Sequence, residues 1–354
     1  MKKNTKDRYD SFDFLKGICC IAVVFIHYNF KGDLGLIVKA LCRFAVPLFF
    51  IISGFFFIDS EHNIVREKTK KKIIHLLKML LKAAIFYTIF CLIWTPLYYK
   101  GTNMLDYANK IISKATLLKL IVTNDPLVYS HLWFILALLY CYITFLPFNN
   151  KKCSKNTIYY SIILFFIYFL FIHAHKYMFI PGSFKIPGYK NTISVFNIYI
   201  LRAMPFFLLG MYLRVKEKEI SKFKISNIAL ILTIIICSLL CIDERFYMGE
   251  SAYFIGSYII SLVLALKAIQ NHKLGQNKII NFIGKELSLY VYIYHIAIGK
   301  ILDLLASKYH LWNNRFIMNS RVFIILFFSL LLAYLIYKIK DLIKKNALKY
   351  KGSV

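Results

Sequence analysis

Residues 12–30 read FDFLKGICCIAVVFIHYNF, and the fold turns on whether this stretch is soluble core or membrane span. As a helix it measures about 28 Å, close to the ~30 Å hydrocarbon core of a bilayer. No small-residue cleavage site follows it, so it is expected to stay in place as a first span rather than be removed as a signal peptide. Nine further apolar segments follow at about 36–58, 76–99, 131–148, 157–175, 194–213, 226–242, 251–268, 281–304 and 322–340. Lys39, Lys78 and Lys82 intrude near the ends of the second and third.

The composition agrees with that reading. Of 354 residues 59% are hydrophobic and 18% charged, with a mean hydropathy of +0.59. Soluble domains sit near 45–50% and about 25%. With 32 Phe, 26 Tyr, 14 Gly and 7 Pro, the chain is neither disordered nor collagen-like. The expected fold class is all-α, a polytopic integral membrane protein of about ten helices. It forms a single transmembrane domain over residues 1–354, with 100–130 as the longest extracytoplasmic loop and no fused soluble domain.

The net charge of +29 does not point to nucleic acid. The lysines stand in short clusters between apolar runs, as membrane loops have them. With the N-terminus inside, the loops assigned to the cytoplasm carry more than twice the Lys and Arg of those assigned outside. Both termini are therefore expected in the cytoplasm. Most of the eight cysteines lie inside apolar runs, where they read as small hydrophobes, and no metal-ligand spacing occurs.

Ionisable residues inside a span are costly and are read as functional first. Lys16 and His27 stand eleven residues apart in the first span. That is three helical turns, so both lie on one face about 16 Å apart. Lys16 also reads as a residue snorkelling to the inner headgroups, and His27 as a marker of the outer interface. The second span carries Arg43 before Pro47 and Ser53-Gly54, which predicts an irregular helix with an inward-facing cation, or an interfacial Arg. The sixth span echoes it with Arg202, Pro205, Phe206, Phe207 and Gly210.

These residues carry a resemblance. Phe12-Asp13-Phe14-Leu15-Lys16-Gly17 with His27, then Arg43 and Val46-Pro47-Leu48-Phe49-Phe50-Ile51-Ile52-Ser53-Gly54, resemble the opening signature of the membrane acyltransferase 3 family. His131-Leu132-Trp133-Phe134, Pro205-Phe206-Phe207-Leu208-Leu209-Gly210 and Ile283-Gly284-Lys285 with Ser288-Leu289-Tyr290 and Tyr294-His295 continue it in the family's order over nearly the whole chain. The resemblance implies an integral membrane enzyme that takes an acyl group, usually acetyl, from cytoplasmic acyl-CoA and passes it to a hydroxyl of an extracytoplasmic envelope glycan. It implies a bacterial plasma membrane location and stand-alone action or a separate extracytoplasmic transferase as partner. The family usually has Arg where this chain has Lys16, which keeps the charge and loses the bidentate fork.

Acyl transfer from a thioester needs a base for the acceptor hydroxyl, a stabilised oxyanion and a held donor. His27 is the candidate base, expected to be buried and therefore neutral. Arg43 or Arg202 is a candidate for the oxyanion, and the resemblance favours Arg43. His295 in the ninth span is a second catalytic candidate, or a belt histidine bonded to a neighbouring helix. The phosphates of coenzyme A need cations, and Arg66, Lys68, Lys71, Lys72, His75 and Lys78 supply them. Lys71, His75, Lys78 and Lys82 are spaced to share one helix face, which would serve equally as a surface for anionic lipid. The 100–130 loop is expected either to line a sugar site with its aromatic and amide side chains, among them Asn124 and Tyr129, or to be an ordinary polar loop. The competing function is a transporter or exporter of a lipid-linked or envelope saccharide.

Overall fold

A computed structural model describes residues 9–28, 30–58, 66–98, 114–124, 129–146, 156–177, 183–185, 192–194, 198–248, 255–272, 274–311 and 314–351. Helix falls in each of the ten apolar segments. Six helical stretches among the described residues are long and apolar enough to cross a bilayer: Gly32–Phe55, Glu67–Trp94, Thr157–His175, Asn227–Tyr247, Lys278–Lys308 and Phe316–Asn346. Ser130–Phe145, Met204–Val215 and Ile255–Gln270 are apolar but shorter. Helix α1 (Asp10–His27) carries Asp10, Asp13 and Lys16 in its first half.

The surfaces of these helices invert the soluble pattern. On α4 (Arg66–Tyr98), Leu77, Leu81, Ile85, Ile89 and Ile93 form an exposed ridge at four-residue steps, while Ala83, Tyr87, Cys91 and Trp94 are buried. An exposed apolar ridge several turns long has no stable place in water; it faces lipid. The protein is a multi-pass membrane protein.

The chain divides into two compact units, residues 1–45 with 263–354, and residues 46–262. In the second, α3 (Ala45–Phe55), α4, α5 (Lys114–Thr123), α6 (Trp133–Phe145, entered by a 3-10 turn at Ser130–Leu132) and α7 (Thr157–Lys176) are followed by a hairpin of β1 (Ser183–Lys185) and β2 (Thr192–Ser194). Its antiparallel register pairs Phe184 with Ile193. These two three-residue strands are a local departure from the all-α expectation. Then come α8 (Tyr199–Arg202), α9 (Met204–Val215), α10 (Glu217–Ile220), α11 (Asn227–Met248) and the first half of α12 (Ile255–Gln270).

The break between α8 and α9 falls at Ala203, whose φ is −120°, with Pro205 in the first turn of α9. Proline lacks the N–H that would continue the ladder, so the helix restarts there. The echo between the second and sixth spans has a packing meaning. A Cβ on Gly54 would strike the Phe207 carbonyl, and one on Gly210 the Ile51 carbonyl, so α3 and α9 cross backbone to backbone. Phe207 then packs against Phe57, Tyr142 and Phe145.

The other unit holds α1, α2 (Gly32–Cys42), α13 (Lys278–Phe282), a π-helical turn at Ile283–Leu287, α14 (Ser288–Lys308) and α15 (Arg315–Lys351). Its core joins Cys20, Val24 and Tyr28 to Ile283, Leu287, Val291, Val322, Ile325 and Ala333. Both the Cys20 and Ile283 rows advance four residues at a time, the ridge that packs helix on helix. At the start of α1 the Ser11 hydroxyl donates to the Ala268 carbonyl (2.8 Å), and the Tyr9 ring lies on His272. Six of the cysteines are buried among apolar side chains and Cys42 is half-buried, in keeping with their reading as hydrophobes.

Candidate active site

The Ile283 row does not stop at Val291. Continued by four residues at a time it reaches His295, Gly299 and Asp303, so one seam of α14 changes from aliphatic to polar. Each of these three positions meets a partner. The His27 ring, the last residue of α1, lies 5.0 Å from the His295 ring, centroid to centroid. The Tyr28 ring passes over Gly299, where a Cβ would strike its Cζ and Oη. Asp303 accepts a hydrogen bond from Arg321 of α15 (2.5 Å).

His295 is fully buried. Its Nδ1 lies 3.0 Å from the Val291 carbonyl and 2.9 Å from that of Tyr292. A carbonyl oxygen only accepts, so Nδ1 carries a proton and the ring is oriented by its own helix. The π-helical turn just before α14 lies in the Ile283-Gly284-Lys285 motif, and such single turns are frequent at functional sites.

His27 differs from its expectation. It is exposed, not buried, because α1 ends at this residue and the chain turns at Tyr28. The buried histidine is its neighbour. One ring is thus exposed and the other is buried beside it. Tyr28 fastens the junction: its hydroxyl donates to the Ile296 carbonyl (3.1 Å), and its ring stands edge-on to His295 at 6.4 Å.

Lys16 and Arg43 belong to the same unit. Lys16 is half-buried and pairs with Asp13 (3.1 Å), about 16 Å along α1 from His27. Arg43 is the C-cap of α2 and is buried, which agrees with an inward-facing cation at an irregular second span. The structure brings together His27 and His295. It holds Arg202 in the other unit, with its guanidinium 4.0 Å from the Trp133 ring.

The cation-rich start of α4 also lies in that other unit. Lys68, Lys71, His75, Lys78 and Lys82 are exposed, the last four on one face. Lys72 turns away, donating to the Phe56 carbonyl (2.8 Å) with its ammonium 5.4 Å from the Tyr142 ring centre. Arg66 opens the helix, and its side chain lies outside the described residues. Of the 100–130 segment, 100–113 and 125–128 are outside the described residues. Lys114–Thr123 is helix, Asn124 is buried with a left-handed φ of 45°, and the Tyr129 ring packs on Tyr87 at 4.4 Å. Of these two, Asn124 is buried and Tyr129 half-buried.

Sequence reading did not single out Tyr28, Gly299, Asp303 or Arg321. The signal was present as a register: Gly299 and Asp303 stand four and eight residues after His295, and Arg321 opens the next apolar run.

A family model described as an acyltransferase domain matches residues 9–338. No match was found among curated proteins or among solved structures. With nearly its full length matched, the chain belongs to the acyltransferase 3 family and is a membrane acyltransferase acting on groups other than aminoacyl groups.

Proposed function

We propose that the protein transfers an acetyl group from cytoplasmic acetyl-CoA to a hydroxyl of an extracytoplasmic envelope glycan, in a bacterial plasma membrane crossed about ten times with both termini inside. The observation that carries this reading is the pairing of an exposed His27 with a buried, helix-oriented His295 in a chain of this family.

His27 takes the proton of the acceptor hydroxyl. The oxygen attacks the thioester carbonyl, a C–O bond forms, the C–S bond breaks, and the proton returns from His27 to the departing thiolate. Positioned general-base catalysis of this kind supplies about 10²–10⁴-fold. His295, oriented by its own helix, is assigned to positioning the His27 imidazole. Arg43, a buried guanidinium, is assigned to the oxyanion or the thioester carbonyl. Lys16 adds positive charge on the cytoplasmic half of α1, moderated by Asp13. Lys68, Lys71, His75 and Lys78, with Arg66 and Lys72 beside them, are assigned to the phosphates of the donor; separate extracytoplasmic transferases remain candidate partners for the acceptor step.

Purified protein in proteoliposomes, supplied with radiolabelled acetyl-CoA on one side and envelope polysaccharide on the other, tests the proposal. Alkali-labile label in the polysaccharide is the expected result. Polysaccharide crossing the bilayer with no label attached would identify an exporter instead.

A further inference from the structure

We propose that Arg321 and Asp303 are positioning residues: together they clamp the Tyr28 ring and so fix where His27 stands against His295. This rests on the reading of His27 as the base. The guanidinium of Arg321 sits 5.1 Å from the Tyr28 ring centre while one of its nitrogens bonds Asp303. Three successive positions on one seam of α14 thus engage the end of α1: His295 meets His27, Gly299 admits Tyr28, and Asp303 anchors the cation that covers Tyr28.

Tyr28 follows His27 directly and is the C-cap of α1. Helix α1 ends at His27, so its ladder fixes that residue from one side only. The other side is fixed by where Tyr28 is held. The hydroxyl bond to Ile296 locates the far end of that ring, the same end lies against Gly299, and the guanidinium stands over the ring. A cation over a ring is worth more where water is excluded, and both members of the Arg321–Asp303 pair are mostly covered, their side chains 26% and 21% exposed. The clamp joins α1, α14 and α15, and α15 is tied to the other two lower down by Val322, Ile325 and Ala333 in the shared core. Losing the clamp therefore loosens the α1 terminus without dismantling the unit.

The test uses full-length Arg321→Met and Asp303→Asn proteins in proteoliposomes, with radiolabelled acetyl-CoA as donor. Each is expected to lower kcat roughly tenfold to a hundredfold, the effect of a misplacement near 1 Å, while KM for acetyl-CoA stays within about twofold because neither residue is among the cations assigned to the donor. Arg321→Lys keeps a cation over the ring and should recover most of the rate. A second readout is carbethoxylation of His27 by diethyl pyrocarbonate, followed by peptide mass. Its rate should change about threefold or more in Arg321→Met, with His75, exposed on α4, as the unchanged control. Unaltered kcat in both variants, or an equal change at His27 and His75, overturns the clamp. If Arg321→Met does not fold, Asp303→Asn and Arg321→Lys give the same two readouts. Full activity in His27→Ala overturns the underlying reading and the clamp with it; full activity in Arg321→Met with His27→Ala inactive overturns the clamp alone.

Discussion

In the proposed reaction His27 and His295 divide between them two demands that one side chain cannot meet. A base must reach its reactant, and it must be held still. His27 reaches, because α1 ends there; His295 is still, because two carbonyls of its own helix hold Nδ1. The identity of His27 was legible from an ionisable group late in an apolar run, but its exposure was not. Burial depends on where the helix stops, and that is decided by the Tyr28 contacts to a helix some 270 residues away in sequence. His295 was legible as a candidate, and the structure sets the His27 ring beside it. At this scale Gly299 reports on the placement of the Tyr28 ring. Gly299→Ala would drive a methyl into the Tyr28 ring; overpacking of this kind costs about 1–3 kcal/mol. A lowered Tm in detergent and reduced acetyl transfer are expected, whereas unchanged values of both would show that Tyr28 does not rest there.

Among the elements, the broken helices follow from local chemistry. Arg43 stands four residues before Pro47 and Arg202 three before Pro205, and helix is interrupted between Arg and Pro in both. The sequence period also foretold the exposed cation face of α4, which four- and three-residue spacing places together. What periodicity did not reveal was the fate of Lys72, since a bond to the Phe56 carbonyl depends on tertiary placement of a preceding loop. If that face binds the donor, Lys68→Glu with Lys71→Glu should raise KM for acetyl-CoA roughly tenfold, equivalent to about 1.4 kcal/mol, and lower kcat far less. An unchanged KM would leave these lysines to anionic lipid. The test avoids Lys72 because its substitution would also disturb the Phe56 contact.

For the whole molecule, helix falls in each apolar run read from the sequence, six helical stretches among the described residues are long and apolar enough to cross a bilayer, and the class of fold was plain from composition and run length. Span number is less directly legible. The helices over 130–145, 204–215 and 255–270 are shorter than the bilayer core requires for an upright crossing, and their flanking residues decide how they are accommodated. Helix α15 is the opposite case: its 37 residues exceed that thickness, and Lys338, Lys340, Lys344 and Lys345 cluster in its last third. In the proposed orientation, which the positive-inside bias supports, that end lies in the cytoplasm. A reporter fused after Val354 should be active as a cytoplasmic fluorescent protein and inactive as an extracytoplasmic phosphatase; the reverse would require an odd number of crossings or an inverted chain.

The central claim is that the His27 imidazole performs the proton transfer in acyl transfer. It is tested most directly by comparing wild-type and His27→Ala proteins, matched for amount and for elution as a folded species, in transfer of radiolabelled acetyl from acetyl-CoA to envelope polysaccharide. A fall in kcat of about 10²–10⁴-fold is the predicted result, and transfer at the wild-type rate would contradict the account.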